Sequence, residues 1–207
     1  SHTSLKLFYY LSIFEKHVDI KSLEQSRILE IGAGMCNFAI MLTSKLDNFD
    51  YVIIDLPEVI AHGYISLLEF HPDKEIQIFL PHELDLYKKS TAKKKILFIL
   101  PSQLNEVGDN FALLLNHESF SEMRIHTVNE YLKKAIEKQK VGAFTYIVGR
   151  YTRNTSGELT DVNGWTNFPD YHLSGLEQIH YQIDGFRSLI PHLKRLQNVM
   201  YIGKKVE

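Results

Sequence analysis

The chain has 207 residues, a formal charge of −2 and one cysteine, Cys36. That length suits a single domain burying roughly 70% of its unfolded surface. The balanced charge excludes a basic field that draws a protein to nucleic acid and favours a small neutral or acidic ligand. The lone cysteine excludes an internal disulfide and fits a cytoplasmic protein.

No apolar run reaches the roughly 18 residues of a membrane span, and no signal peptide is visible. The chain opens on Ser1 and His2 without a methionine, as expected of a trimmed chain or a piece of a longer protein. Leu5 to Val18 is apolar and aromatic, with Leu7, Tyr10, Leu11 and Phe14 near helical spacing. Residues 1–25 are therefore read as an N-terminal helical lid or cap, which packs on the core or closes over a ligand. Residues 26–207 are read as the main domain.

Arg27 to Ile31 predicts a buried strand and Asn37 to Leu46 a helix. Tyr51 to Ile54 is the second strand. Pro57 stands where a helix begins, its missing N–H harmless in the first turn. That helix runs from Glu58 to Phe70, with Val59, Ile60, Tyr64, Leu67 and Leu68 inward. Two similar apolar pieces follow, Ile76 to Leu84 and Ile96 to Leu104, each a short strand stopped by proline. Ile96 to Leu100 is expected inside the sheet and Ile76 to Phe79 at its edge. The lysines between them, Lys88, Lys89, Lys93, Lys94 and Lys95, read as a solvated face, or as a magnet for an anionic sugar nucleotide or lipid-linked sugar. Phe111 to Leu115 is a strand buried on both faces, Thr127 to Gln139 a helix with Val128, Tyr131, Leu132 and Ile136 inward, and Ala143 to Val148 a strand. This alternation predicts a mostly parallel sheet with helices on both sides. Arg150 to Gly175 is a long polar segment carrying Tyr151, Trp165, Phe168, Tyr171 and His172, and its length marks a functional loop. Gln178 to Ile183 is a strand, Phe186 to Leu196 a short helix broken near Pro191, and Val199 to Gly203 the last strand.

The chemistry gathers around Glu30-Ile31-Gly32-Ala33-Gly34. A strand, a Gly-x-Gly turn and a helix make a nucleotide pocket, because glycine permits positive φ and a ligand lying on bare backbone. The helix start adds free N–H groups. Glu30 repels a pyrophosphate, and the third glycine of the dinucleotide fingerprint, due at Asn37, is absent. Asp55 follows Gly34 by 55−34=21 residues, at the end of the next strand, where an acid binds both ribose hydroxyls. These acids fit an adenosyl group with an amino-acid tail. Against this stands a plain α/β turn with two solvated acids.

Ile28 to Gly34 resembles motif I of the class I S-adenosylmethionine-dependent methyltransferases. Ile54-Asp55-Leu56-Pro57-Glu58, Leu100-Pro101-Ser102-Gln103 and the stretch Asn116 to Met123 follow in an order similar to the sugar O-methyltransferases, a branch usually met in bacterial surface-polysaccharide gene sets. The resemblance covers roughly residues 26 to 150. Cys36 departs from it, standing where many methyltransferases have a third glycine. The resemblance implies a Rossmann-like fold: a seven- or eight-stranded, mostly parallel sheet, helices on both faces and an antiparallel C-terminal hairpin. It implies S-adenosylmethionine as cofactor. Gly32, Ala33 and Gly34 then lie against its amino-acid part, which Glu30 orients. Asp55 holds the ribose and Leu56 the adenine face. Pro101, with Ser102 or Gln103, meets the adenine edge, and Asn116 faces the sulfonium. The acceptor is a sugar, sugar nucleotide or lipid-linked sugar.

A sugar hydroxyl needs a base within hydrogen-bond reach or a metal. The expected catalytic residues are His117, Glu122 and His172, with Glu118 and His126 as further candidates. Glu122 has a plain reading as a helix-start bond and His117 as a surface or packing residue; His172 lies in the long loop, placed to close over substrate. His180 or Tyr181 is expected to point into the core. Trp165, Tyr151 and Tyr171 are suited to stack on sugar faces. No metal-ligand spacing stands out. The competing readings are a dinucleotide-dependent oxidoreductase and a non-catalytic methyltransferase-like module of a larger glycan-processing protein.

Overall fold

The computed structural model describes residues 2–71, 75–152, 168–184 and 196–206. Its strands are β1 (Ser26–Ile31), β2 (Phe49–Ile54), β3 (Gln77–Phe79), β4 (Lys94–Ile99), β5 (Phe111–His117), β6 (Gln139–Thr152), β7 (Leu176–Asp184) and β8 (Leu196–Lys205). Its helices are α1 (His2–His17), α2 (Asn37–Thr43), α3 (Pro57–Phe70), α4 (Leu84–Lys89) and α5 (Ile125–Glu137). The strands form one eight-stranded sheet in the order β3-β4-β2-β1-β5-β6-β8-β7. Every neighbour pairing is parallel except β6 with β8 and β7 with β8. The expected parallel sheet, its inner β4, its edge β3 and its closing antiparallel strands are all present. Of the helix expected over Phe186 to Leu196, Leu196 is instead the first residue of β8 and the rest lies outside the described residues, as does Trp165.

Both faces of the sheet are covered, so the inner strands are apolar without a break. Alternate residues serve opposite faces. Ile28, Tyr51, Ile53, Phe98, Leu113 and Tyr146 pack beneath α1, α2 and α3. Leu29, Val52, Ile54, Leu97, Leu114 and Ile147 pack beneath α4 and α5. The N-terminal helix belongs to the first of these cores. Tyr10, Leu11 and Phe14 are at most 3% exposed, and Phe14 stacks on Tyr146.

Three expectations change. Leu68 is 44% exposed, because α3 buries the face carrying Ile60, Gly63, Ser66 and Leu67, on which Gly63 lets the helix sit close to Gly34 and Cys36. The segment after Val148 continues as strand through Thr152, so Tyr151 is in β6, not a loop. Tyr171 is only 6% exposed, edge-on to Phe120, and is unavailable for stacking on a sugar. Of His180 and Tyr181, the histidine is the more buried; its ring stacks on His17 at 4.2 Å, while Tyr181 is 40% exposed.

Charges at the amino ends of the strands fix their order. Asp50 is in register with Arg27 on one side and Lys95 on the other. Arg27 Nε donates to Asp50 Oδ2 at 3.1 Å, Lys95 Nζ stands 3.7 Å away, and Tyr87 of α4 donates to Asp50 Oδ1. A positive–negative–positive row across three strands penalises any slipped register. The lysine cluster thus partly resolves: Lys94 pairs with Glu75 and Lys95 with Asp50. Asp50→Ala takes the acceptor from Arg27 Nε and from the Tyr87 hydroxyl in a part-buried setting and is expected to cost about 2 kcal/mol. A lower urea midpoint with unchanged slope checks this.

Candidate functional site

The carboxyl ends of β4, β2, β1 and β5 lie side by side in that order. In an open α/β sheet this rim is where ligands bind. Rungs beyond the strands hold it in register: Gly32 N–H donates to Ile54 O at 2.8 Å, and Asp55 N–H to Ile99 O at 3.3 Å.

Above β1, Gly32 and Gly34 both have positive φ, +71° and +57°. They serve different ends. A Cβ on Gly32 would fall 2.1 Å from Ser119 Oγ, so that glycine lets the turn after β5 close in. A Cβ on Gly34 would meet nothing within 4 Å, so that backbone lies open. Cys36 is itself left-handed, φ +58°, which explains why glycine suits this position elsewhere. Its side chain is fully buried and turned to α3, where a Cβ on Gly63 would come within 2.6 Å of Sγ. Burial first, then Glu30 and Asp55, push the thiol far above its ordinary range, so it behaves as a small packing group.

Above β2, Asp55 faces the glycine turn. Its Oδ2 accepts from Gly34 N–H at 2.9 Å and its Oδ1 from Leu56 N–H at 2.9 Å. Burial raises its carboxyl above the ordinary value; the two N–H groups pull it back, and Glu30 and Glu58 push it up again. Leu56, which caps α3, is 50% exposed.

Above β4 the two proline-stopped pieces fold alike. Glu83 Oε2 accepts from Leu80 N–H at 2.8 Å, and Gln103 Oε1 from Leu100 N–H at 2.9 Å. Each turn is thus capped by the side chain three residues on. Gln103 Nε2 also donates to Pro81 O at 3.1 Å and ties the turns together. These bonds leave one Nε2 hydrogen over, and the neighbouring Ser102 is exposed. A cleft of about 430 Å³ opens here between Pro57, Ile60, Pro81, His82, Leu100 and Gln103.

Above β5, Asn116 is fully buried. Its Nδ2 donates to Ile31 O at 2.7 Å and to Ser119 Oγ, and its Oδ1 accepts from Phe120 N–H at 3.3 Å. The asparagine expected to face a sulfonium instead staples β5 to β1. His117 comes next. Its side chain is 9% exposed, its ring stacks on Phe38 at 3.9 Å, and both ring nitrogens are buried without a hydrogen-bond partner. Glu30 is 1% exposed; Tyr51 donates to its Oε2 at 2.8 Å, and its Oε1 stands 3.7 Å from His117 Nδ1. Glu118 has φ +67°, and its Oε1 accepts from Lys6 Nζ and Asn198 Nδ2, each at 2.7 Å. Together Lys6, Leu7, Tyr10, Glu30, Ala33, Asn37, Phe38, His117 and Glu118 enclose a cleft of about 140 Å³. The contribution of α1 to it has no local signal in the sequence, because Lys6 and Glu118 lie 112 residues apart.

The other catalytic candidates stand elsewhere. Glu122 is exposed at the end of a 3-10 turn. His172 and His126 line a larger groove, about 1060 Å³, along α5. His172 N–H donates to Asn129 Oδ1 at 2.8 Å, which fixes it to that helix. The larger groove runs along a helix flank, whereas the glycine turn, buried acid and unpartnered histidine converge on the small cleft, so the small cleft is the better candidate site. Among the described residues no group of three His, Cys, Asp or Glu is placed to hold a metal ion, and no helix is long and apolar enough to cross a membrane.

Neither a family model nor a curated protein matches the chain in sequence. Solved structures do match it in shape. A Galdieria sulphuraria protein provisionally assigned as a sarcosine dimethylglycine methyltransferase superposes with a TM-score of 0.62 at 12% identity, over 99% of this chain and 86% of its own. The N-methyltransferase NodS of Bradyrhizobium japonicum WM9, solved with S-adenosyl-L-homocysteine, gives 0.57 at 12% identity, over 100% and 87%. The magnesium protoporphyrin IX methyltransferase of Synechocystis PCC 6803, with the same compound bound, gives 0.58 at 8% identity, over 97% and 83%. The [4+2]-cyclase SpnF matches too, at 0.60 and 11% identity over 88% and 76%, so the shape alone leaves the reaction open. The fold is that of the Rossmann-like class I methyltransferases, with β3 as an added edge strand.

Proposed function

We propose that this protein is an S-adenosylmethionine-dependent O-methyltransferase acting on a hydroxyl of a sugar, sugar nucleotide or lipid-linked sugar. The carrying observation is the position of Asp55. Its carboxylate is bonded to the glycine turn and stands above β2, between a cleft over β4 and another over β1 and β5. An elongated ligand with a ribose in its middle fits that row. The residues present suit the cofactor: open backbone at Gly34, an acid for ribose hydroxyls, an exposed Leu56 for a base face and a buried polar cleft for the tail. The solved methyltransferases with S-adenosyl-L-homocysteine support the same reading. The sugar acceptor rests on the resemblance of Ile54 to Glu58 and Asn116 to Met123.

The cofactor supplies a methyl group on a sulfonium, already a good leaving group, so the chain's task is chiefly positioning. In this reading Ala33 and Gly34 carry the amino-acid part. Asp55 accepts from the ribose hydroxyls with the lone pairs its backbone bonds leave free. Leu56, Pro101 and Ser102 border the base. Asn116 shapes the rim without touching the ligand, since both its amide hydrogens are already used, whereas Gln103 lines the cleft over β4 and keeps one Nε2 hydrogen for the base edge. Of the three candidate bases, His117 alone lines the cleft at the glycine turn. Glu122 and His172 stand off it.

Calorimetry with S-adenosylhomocysteine tests the reading. Binding by the whole chain is expected, with Asp55→Ala weakening it roughly a hundredfold, as befits loss of two charge-assisted bonds. Tight binding of NADH, with none of the thioether, would sink the assignment.

The same titration has a pH signature. Ribose hydroxyls donate to the ionised carboxylate. Because the Asp55 carboxyl is raised, it takes up a proton on acidification sooner than a free aspartate does. Affinity is therefore expected to hold at neutral pH and to fall as pH drops through that raised value. Asp55→Asn should bind weakly with no such fall.

The two glycines are expected to separate stability from binding. Gly32→Ala drives a methyl into Ser119 and should lower the melting temperature markedly. Gly34→Ala meets open space, so only its left-handed backbone costs, about 1 kcal/mol, yet it should block the ligand. Thermal melts paired with calorimetry distinguish the two.

A further inference from the structure

Resting on that reading, we infer that the larger groove along α5 is an acceptor subsite, which binds a chain of uncharged linked sugars and brings its end to the rim. The groove, about 1060 Å³, stands at the top of the roughly 300–1,000 Å³ range of ligand sites, so a single sugar leaves most of it unfilled. Its α5 lining runs from Ile125 to Glu137, about 18 Å of helix at roughly 1.5 Å per residue. That length makes it a trough. Its upper end, at Ile125 and His126, lies where α5 begins, just after the turn that carries Ser119 to Glu122 on the carboxyl end of β5. The opposite wall comes from Pro169 to Ser174, and one side chain ties it to the helix. Asn129 Nδ2 donates to Asp170 O at 3.4 Å, and Asn129 Oδ1 accepts from His172 N–H at 2.8 Å. The two walls are therefore set before a ligand arrives, which lowers the cost of binding.

The lining suits hydroxyl groups. Glu130 and Glu137 on α5 and Asp170 opposite offer carboxylate acceptors, while Lys133, His126 and His172 add donors. A sugar hydroxyl both donates and accepts, so it uses either kind. All six residues are exposed, and among the described residues none of their side chains is engaged in a hydrogen bond or ion pair. The same lining carries Ile125, Pro169 and Ile136. Ile136 is only 7% exposed and forms an apolar floor for the C–H faces of pyranose rings. Charge then selects among acceptors. Three carboxylates face one ammonium in the groove, so phosphate is repelled from it. A sugar nucleotide or the diphosphate of a lipid carrier is disfavoured there, and an uncharged stretch of glycan is favoured. His172 thus becomes a binding residue for the chain rather than the base.

A glycan array tests the assignment. The probe is the labelled whole chain, saturated with S-adenosylhomocysteine, over neutral and acidic bacterial surface oligosaccharides graded in length from single sugars upward. Neutral chains are expected to be retained, more strongly as they lengthen. Glu137→Gln and Asp170→Asn are each expected to weaken that retention roughly tenfold. Both variants should hold S-adenosylhomocysteine within about twofold of the natural protein and melt as it does, since they alter exposed, unpaired groups. Retention of no neutral chain, retention that both variants leave unchanged, or a preference for acidic or phosphorylated chains each overturns the inference, while intact cofactor binding keeps the methyltransferase reading. Sedimentation as a dimer that Glu137→Arg splits makes the groove an interface between copies and overturns it as well. If the natural protein binds no S-adenosylhomocysteine in calorimetry, both readings fall.

Discussion

The hydrogen bond from Gly34 N–H to Asp55 Oδ2 joins the turn after β1 to the end of β2, and the rest of the rim is laid out from it. It requires Gly34 in a left-handed conformation, so that the N–H points toward the next strand. It also requires Asp55 to remain an acceptor despite burial, which the second N–H, from Leu56, supports. With that link made, the rim divides into a part over β1 and β5 and a part over β4.

Each side is built by a different device. Over β4, two proline turns use the same cap, and Gln103 locks one to the other through Pro81 O. The added strand β3 thereby becomes part of the rim rather than a loose edge. Over β1 and β5 the device is burial. Asn116 and Ser119 close the turn after β5 onto Ile31, and Gly32 provides the space for Ser119. The helix α1 then covers the result, anchored by Tyr10 and Phe14 in the core and by the Asn198 side chain on the Tyr10 hydroxyl. Left-handed Cys36 and Glu118 flank this cover, a cost of about 1–3 kcal/mol each that persists only where the surroundings over-determine the backbone.

The departure at Cys36 illustrates how one position answers to two demands. The backbone there is left-handed, which glycine meets most easily. The space below α3 is empty unless a side chain fills it, and Gly63 leaves room for the sulfur. Here packing outweighed backbone ease, and the thiol is turned away from the cleft it borders in sequence.

The sequence by itself determined the strand–helix alternation, the inner and edge places of β4 and β3, the antiparallel end, and the collection of Glu30, Gly32, Gly34, Asp55 and Asn116 along one rim. The antiparallel end came from the resemblance to the class I methyltransferases; the others follow from local signals: apolar runs, proline and glycine positions, and the rule that ligands meet the carboxyl ends of parallel strands. Only the tertiary structure decided what each polar side chain touches. Asn116 carries a side chain that suits ligand binding, yet Ile31, Ser119 and Phe120 take its amide. Tyr171 suits stacking, yet Phe120 and Phe168 bury it. Lys6, Asn198 and Tyr51 had no mark in the sequence, and they meet Glu118 and Glu30 only because crossovers and register bring distant strands and α1 together. A hydrogen bond is satisfied by geometry at 3 Å or so, and no pattern along a chain fixes geometry between residues a hundred positions apart.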